Sequence, residues 1–245
     1  RAVVPALTAS VVGDLVVLAV GVTHTPLPHL APFDLTASLA ARVVLAGVAF
    51  GLTSVVFIEL VHGIRQLFAK ATVWAPVRPV LGGFGVIGLT YVVGTRDYLG
   101  LSIPLMVKST AGGAGIVAGA FALKLVFTSL TLGSGFQGGE VTPLFVIGAT
   151  LGVSIGRLLD VPIPLMAAVG LVAVLAGAAN APLACTVMGV ELFGGDAAVL
   201  FAVACVVSYV FSLHSGMYSS RRTPRSAPTF IHLVARGGRR RRQGT

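Results

Sequence analysis

Long uncharged stretches divided by short polar punctuation set the pattern of this chain. Apolar runs cover residues 2–22, 39–61, 80–94, 105–132, 141–159, 161–193 and 197–218. Several approach or exceed the ~18 apolar residues that read as a bilayer span. The pattern predicts an all-α, polytopic transmembrane helical bundle with broken helices. The stretch 161–190 carries no charge but is interrupted at Asn180-Ala181-Pro182, so it reads as two helices meeting at a turn. The most polar segment before the tail, 65–79 (RQLFAKATVWAPVRP), reads as a loop at one membrane face, with Trp74 an interfacial anchor. A second loop, 31–38, precedes a helix that Thr36 or Ser38 can cap. The runs Gly82–Gly88 and Gly112–Gly115 predict close helix crossings and are read as packing positions.

Composition sharpens this picture. Apolar side chains make up 56% of the 245 residues, charged ones 10%, and the mean hydropathy is +0.96. That balance argues against a soluble enzyme and for a membrane protein bathed in lipid. Cys185 and Cys205 lack metal or disulfide spacing, and the five histidines show no metal pattern, so neither a metal nor a cofactor is expected. The net charge of +9 belongs to the tail, since eight of the seventeen basic residues follow Ser220 and no acid follows Asp196. Residues 1–220 therefore form the membrane region and 221–245 a basic, disordered tail, expected on the cytoplasmic side of a bacterial-type cell membrane. Nucleic acid is not the expected partner of that tail. The chain begins at Arg1, with no signal peptide following, so a fragment of a longer protein is expected.

Candidate chemistry concentrates in Gly133-Ser134-Gly135-Phe136-Gln137-Gly138-Gly139-Glu140-Val141-Thr142-Pro143, which leads into the apolar LFVIGATLG. A glycine-rich loop ending in Thr-Pro before an apolar run places a helix N-terminus at membrane depth. Its free N–H groups and the positive end of the helix dipole can hold an anion without lysine or arginine. Such broken backbone within a bilayer is tolerated where it lines a cavity, as in transporters. Glu140 has two readings: it caps its own helix, or it is a carboxyl that couples anion binding to protonation.

These residues resemble the second anion-binding signature of the CLC family of chloride channels and proton-coupled halide antiporters. Ala178-Ala179-Asn180-Ala181-Pro182-Leu183, with Glu191 beyond it, resembles the family's APL turn and following acid, and Ser215-Gly216-Met217-Tyr218-Ser219 its tyrosine segment. The common loop form is GGxFxP. GGEVTP here lacks the aromatic, having Val141 in its place, and looks most like the fluoride/proton antiporter branch. The resemblance implies a halide site formed by Gly138, Gly139, Glu140, Val141, Thr142 and Tyr218. Fluoride or chloride and protons would be the transported partners, in a homodimer embedded in lipid. It implies transport and not enzymatic catalysis, with a passive chloride channel as one alternative and an inactive fragment or assembly subunit as another. The GSGxP and GREG-type loops of the family's first repeat are not found in the sequence, so the chain resembles the C-terminal half or somewhat more of a transporter.

Within these blocks, Asn180, Pro182 and Glu191 are given structural roles, with Glu191 held by a buried hydrogen bond. Lys108 and Lys124 are read as side chains that snorkel to an interface. Asp14 and Glu59 are expected to pair or snorkel.

Overall fold

The computed structural model describes residues 3–21, 27–28, 30–71 and 74–212. Tyr218 and the tail 221–245 lie outside the described residues, as do four of the five histidines. Helices α1 (Val3–Ala19), α2 (Ala37–Ala71), α3 (Val77–Val93), α4 (Ile103–Thr110), α5 (Ala120–Gly133), α6 (Val141–Leu159), α7 (Ile163–Ala179), α8 (Pro182–Phe193) and α9 (Ala198–Phe211) follow one another. A single 3₁₀ turn at Gly195–Ala197 precedes α9, and there is no strand among the described residues. Two helices, α2 and α6, are long and apolar enough to cross a membrane, while most of the others are shorter apolar pieces.

Helix α7 is the centre. Every residue from Leu165 to Ala178 is buried, as suits a helix that is apolar all round. It packs on α2, α4, α6, α8 and α9. Its crossing with α6 depends on small residues: a Cβ on Gly148 would strike the carbonyl of Gly170, and one on Gly170 would strike the carbonyl of Gly148. Backbones this close gain dispersion contact where burial of apolar surface from water is not available as a driving force. Two serines tie α7 laterally. Ser54 on α2 donates to Val174 O at 2.8 Å and Ser208 on α9 donates to Ala173 O at 2.6 Å.

Helix starts and stops follow local chemistry. The Leu39 N–H donates to Thr36 Oγ1 at 3.2 Å, so Thr36 is the cap of α2. Asn180 ends α7 in the left-handed conformation (φ 54°), and Pro182 opens α8 where its missing N–H costs nothing, so the predicted Asn-Ala-Pro turn is present.

Three expectations are corrected. The segment 65–79 is not one loop: α2 runs on to Ala71 and α3 begins at Val77, because Leu67, Phe68 and Ala69 continue a helix through Arg65 and Lys70. The apolar run 105–132 is two helices. Its glycines make the turn between α4 and α5, with Gly112, Gly113 and Gly115 all at positive φ, and Gly113 keeps a packing role as well, since a Cβ there would collide with Val153 of α6 and crowd Ile163 of α7. Arg157 of α6 anchors that turn, donating to Ile116 O and Gly113 O, both at 2.7 Å. Glu191, expected to be buried, is exposed in the last turn of α8 and lies apart from the Asn180–Pro182 turn. The buried face of α8 is Cys185, Gly189 and Phe193, spaced by four, and residue 191 falls off that stripe.

Candidate anion-binding site

The loop between α5 and α6 is built from one fixed end and one open end. At the fixed end Gly133 sits so close to Ile64 of α2 that a Cβ would collide. Ser134 N–H donates to Leu130 O at 3.0 Å and its hydroxyl to Thr131 O at 2.9 Å, while Gly135 turns the chain at φ 100°. Ser134 is fully buried, and its side chain occupies the space left by the missing side chain of Gly82 on α3. The glycines of α3 therefore seat the loop, which gives Gly82 the packing role read from the sequence.

The open end differs. Gly138 and Gly139 are exposed, and a Cβ on Gly139 would meet no heavy atom within 4 Å. Glu140 occupies the N-cap position of α6 but makes no side-chain capping hydrogen bond, and Pro143 falls in the first turn. The amides of Val141 and Thr142 thus stand at the start of an apolar 19-residue helix without the usual side-chain acceptor. Val141 is 38% exposed and Thr142 half-buried. Free N–H groups plus the helix dipole make this an anion-accepting end.

A cavity of about 480 Å³ adjoins the loop. Gly138, Gly139 and Pro143 line it together with Tyr98, Gly100 and Lys124, residues of α3 and the threonines Thr128 and Thr131 of α5. The Tyr98 ring stacks on Phe127, centroids 5.9 Å apart. Burial, and then the neighbouring Asp97 carboxylate, holds the Tyr98 hydroxyl above the usual tyrosine range, so it stays a neutral group.

The structure thus brings Gly138, Gly139, Glu140, Val141 and Thr142 together at one helix terminus. Asn180 and Pro182 lie at the separate α7–α8 turn, where Asn180 Oδ1 is buried without a hydrogen-bond partner. Lys124 overturns its sequence reading: it is 1% exposed and does not snorkel. Tyr98, Thr128 and Thr131 were not singled out in the sequence. The signal for the threonines was there, since 124, 128 and 131 recur at helical spacing on one face of α5.

A helical bundle whose backbone breaks into an uncapped helix N-terminus beside a cavity has the arrangement by which many transporters form a substrate site. Residues 1–213 match the voltage-gated chloride channel family, and the chain belongs to that family, whose members are integral membrane proteins. A chloride/fluoride channel protein of Pseudomonas syringae pv. tomato is 40% identical over 233 residues, 92% of this chain and 51% of that protein. A voltage-gated ClC-type chloride channel of Citrobacter koseri is 28% identical over 188 residues, 73% of this chain and 45% of the other. The crystal structure of a CLC-type fluoride/proton antiporter superposes with a TM-score of 0.84 at 30% identity, over 89% of this chain and 55% of that one. The chain spans about half the length of these relatives. The all-α fold with broken helices and the family resemblance read from the sequence are borne out.

Proposed function

We propose that the chain supplies one half of a halide pathway and carries fluoride or chloride in exchange for protons. The observation that carries this reading is the uncapped start of α6, with Gly138 and Gly139 open to approach beside a cavity. The donors there are backbone amides held by packed helices, which suits a small, strongly hydrated anion whose water must be replaced by fixed N–H groups. Fluoride is favoured over chloride because the 40% identical relative is a chloride/fluoride channel protein and the superposed structure is that of a fluoride/proton antiporter. Tyr218 is assigned as a further donor on the strength of its sequence block. Glu140, which makes no capping bond, is the proposed proton-coupling carboxyl.

The exposed apolar surface fits lipid, with Leu45, Leu52 and Val56 outward on α2 and Leu183 and Val187 outward on α8. A homodimer in a cell membrane, with the C-terminus cytoplasmic, completes the assignment; no covalent chemistry is involved. The test is ion efflux from liposomes holding the 245-residue chain, followed with fluoride and chloride electrodes and an internal pH probe. Fluoride release with opposed proton movement is the expected result. Chloride release without proton movement would make it a passive channel. No flux of either ion in folded, inserted protein would leave it a non-transporting subunit.

A further inference from the structure

Lys124 is the one lysine among the described residues that is fully buried, and none of the three oxygens its ammonium binds belongs to a carboxylate. Its Nζ donates to Tyr98 O at 3.1 Å, Gly100 O at 2.7 Å and Ser102 Oγ at 2.8 Å. An ammonium group has three protons, and all three are used. The acceptors come from one short connection between α3 and α4. That connection is folded tightly around the ammonium: Gly100 and Ser102 both lie at positive φ, 58° and 54°, and the Ser102 hydroxyl also lies 3.2 Å from Leu99 O. Ser102, a residue that rarely adopts this conformation, is the N-cap of α4 yet makes no capping bond with its side chain. One α-helical turn along α5 from Lys124, Phe127 stacks on the Tyr98 ring and fixes the same connection from a second point.

We infer that Lys124 is a positioning residue whose ammonium clamps the 98–102 connection as a wall of the cavity leading to the Gly138–Gly139 loop. It acts through the oxygens it binds and not as a free positive charge drawing anions inward. That the cavity leads an anion to the loop rests on the proposed function; the clamp itself rests only on the contacts above. The two roles differ in what they do to charged probes. A clamp, when removed, opens the cavity to probes of either sign. An attracting charge, when removed, slows anionic probes and speeds cationic ones.

The experiment places a thiol at Thr128→Cys, a cavity-lining position only 8% exposed, and measures its labelling by an anionic sulfonatoethyl and a cationic trimethylammonioethyl methanethiosulfonate. Lys124→Met is expected to raise both rates on the order of tenfold, as loss of charge-assisted hydrogen bonds implies, while Lys124→Arg stays within about threefold of the parent. Ser102→Ala, which removes one acceptor and leaves the lysine, is expected to give a smaller rise of the same kind. The native Cys185 and Cys205, 3% and 0% exposed, serve as internal controls and should remain unreactive. Rates that move in opposite directions for the two reagents, or that do not move, would overturn the clamp. So would a parallel rise at Cys185 and Cys205, which marks loosening of the whole bundle. Fluoride efflux per folded chain should fall in Lys124→Met and recover in Lys124→Arg. If the unmodified chain moves no halide, the proposed function fails while the thiol rates still decide the clamp.

Discussion

Gly139 and Gly148 stand on either side of the start of α6 and are glycines for opposite reasons, which alanine substitution separates. Intrinsic helix preference alone makes Gly148→Ala favourable by about 1 kcal/mol. The packing reverses the sign. A Cβ at 148 lies 2.7 Å from the Gly170 carbonyl carbon and 3.0 Å from Leu171 Cα, against backbone that cannot rotate away. Relief requires α6 and α7 to part by roughly 0.5–1 Å, which forfeits a quarter to a half of the contact energy along the seam. Overpacking costs about 1–3 kcal/mol and is greatest where backbone meets backbone, so about 2–3 kcal/mol here, leaving a net loss near 1–2 kcal/mol after the helix preference is credited. For a chain of this size that lowers the Tm by about 2–8 °C. At Gly139 nothing lies within 4 Å of the added carbon, so Gly139→Ala should leave the stability within about 0.5 kcal/mol of the parent. At the proposed anion site the methyl group would nonetheless narrow the open end of the loop, and if this weakens one charge-assisted bond a fall in halide efflux on the order of tenfold is predicted. Thermal challenge followed by size exclusion in detergent reads the first, and liposome efflux the second. An unchanged or higher Tm for Gly148→Ala refutes the tight crossing, and undiminished efflux for Gly139→Ala refutes the loop as the anion site.

Glu140→Gln should leave stability within about 0.5 kcal/mol, since no capping bond is lost, yet reduce proton movement per halide; unchanged halide and proton fluxes together would return Glu140 to a passive N-terminal position. Ser54→Ala and Ser208→Ala should each cost about 0.6–1.7 kcal/mol in an unfolding titration in mixed micelles, and their non-additivity measures the coupling between two hydroxyls that meet adjacent carbonyls of α7. Arg157→Met should cost about 1.5–3 kcal/mol by releasing the Gly113 and Ile116 carbonyls; hydrogen exchange confined to the α4–α5 turn is the signature, and exchange spread evenly over the chain would contradict it. Tyr218→Phe should change the fluoride-to-chloride efflux ratio without changing the yield of folded protein, and an unaltered ratio would remove Tyr218 from the site.

The sequence made the helices legible because each apolar run is helical along most of its length, and the split of 161–193 was marked by Asn-Ala-Pro, a side chain that tolerates positive φ followed by one that cannot continue a helix. The split of 105–132 carried a comparable mark in Gly112–Gly115. Glycine serves a tight turn and a close crossing equally, however, and only the φ values distinguish Gly113 from Gly148. The extension of α2 to Ala71 was obscured by Arg65 and Lys70, whose charges read as loop although both side chains favour a helix where it leaves the apolar region. The site loop was legible because its chemistry is local: glycines, an uncapped helix start and a proline within one short segment. Lys124 was not, since its three acceptors lie more than twenty residues away and two are backbone carbonyls, which leave no trace in residue type.

The division of labour within the loop bears on how it can bind an ion. An anion held by backbone amides gains only what remains after its own dehydration and the ordering of its donors. The α5 side removes the second cost, because Gly133 is pinned on α2, Ser134 is buried beneath α3 and Gly135 accepts a φ that other residues resist. The α6 side contributes donors oriented by a helix whose interior positions from Val146 to Val153 are buried without exception. The amides at the junction are therefore held from collapsing onto a substitute acceptor, whether or not the proposed site holds an ion. That is the condition under which a site gains affinity from preorganised dipoles. It also explains why the tight α6–α7 crossing far from the loop matters to it: parting those helices to admit a side chain at 148 would tilt the helix whose first turn carries the donors. Gly148→Ala should consequently weaken halide binding as well as stability, and a variant stabilised elsewhere should recover the Tm without recovering the affinity.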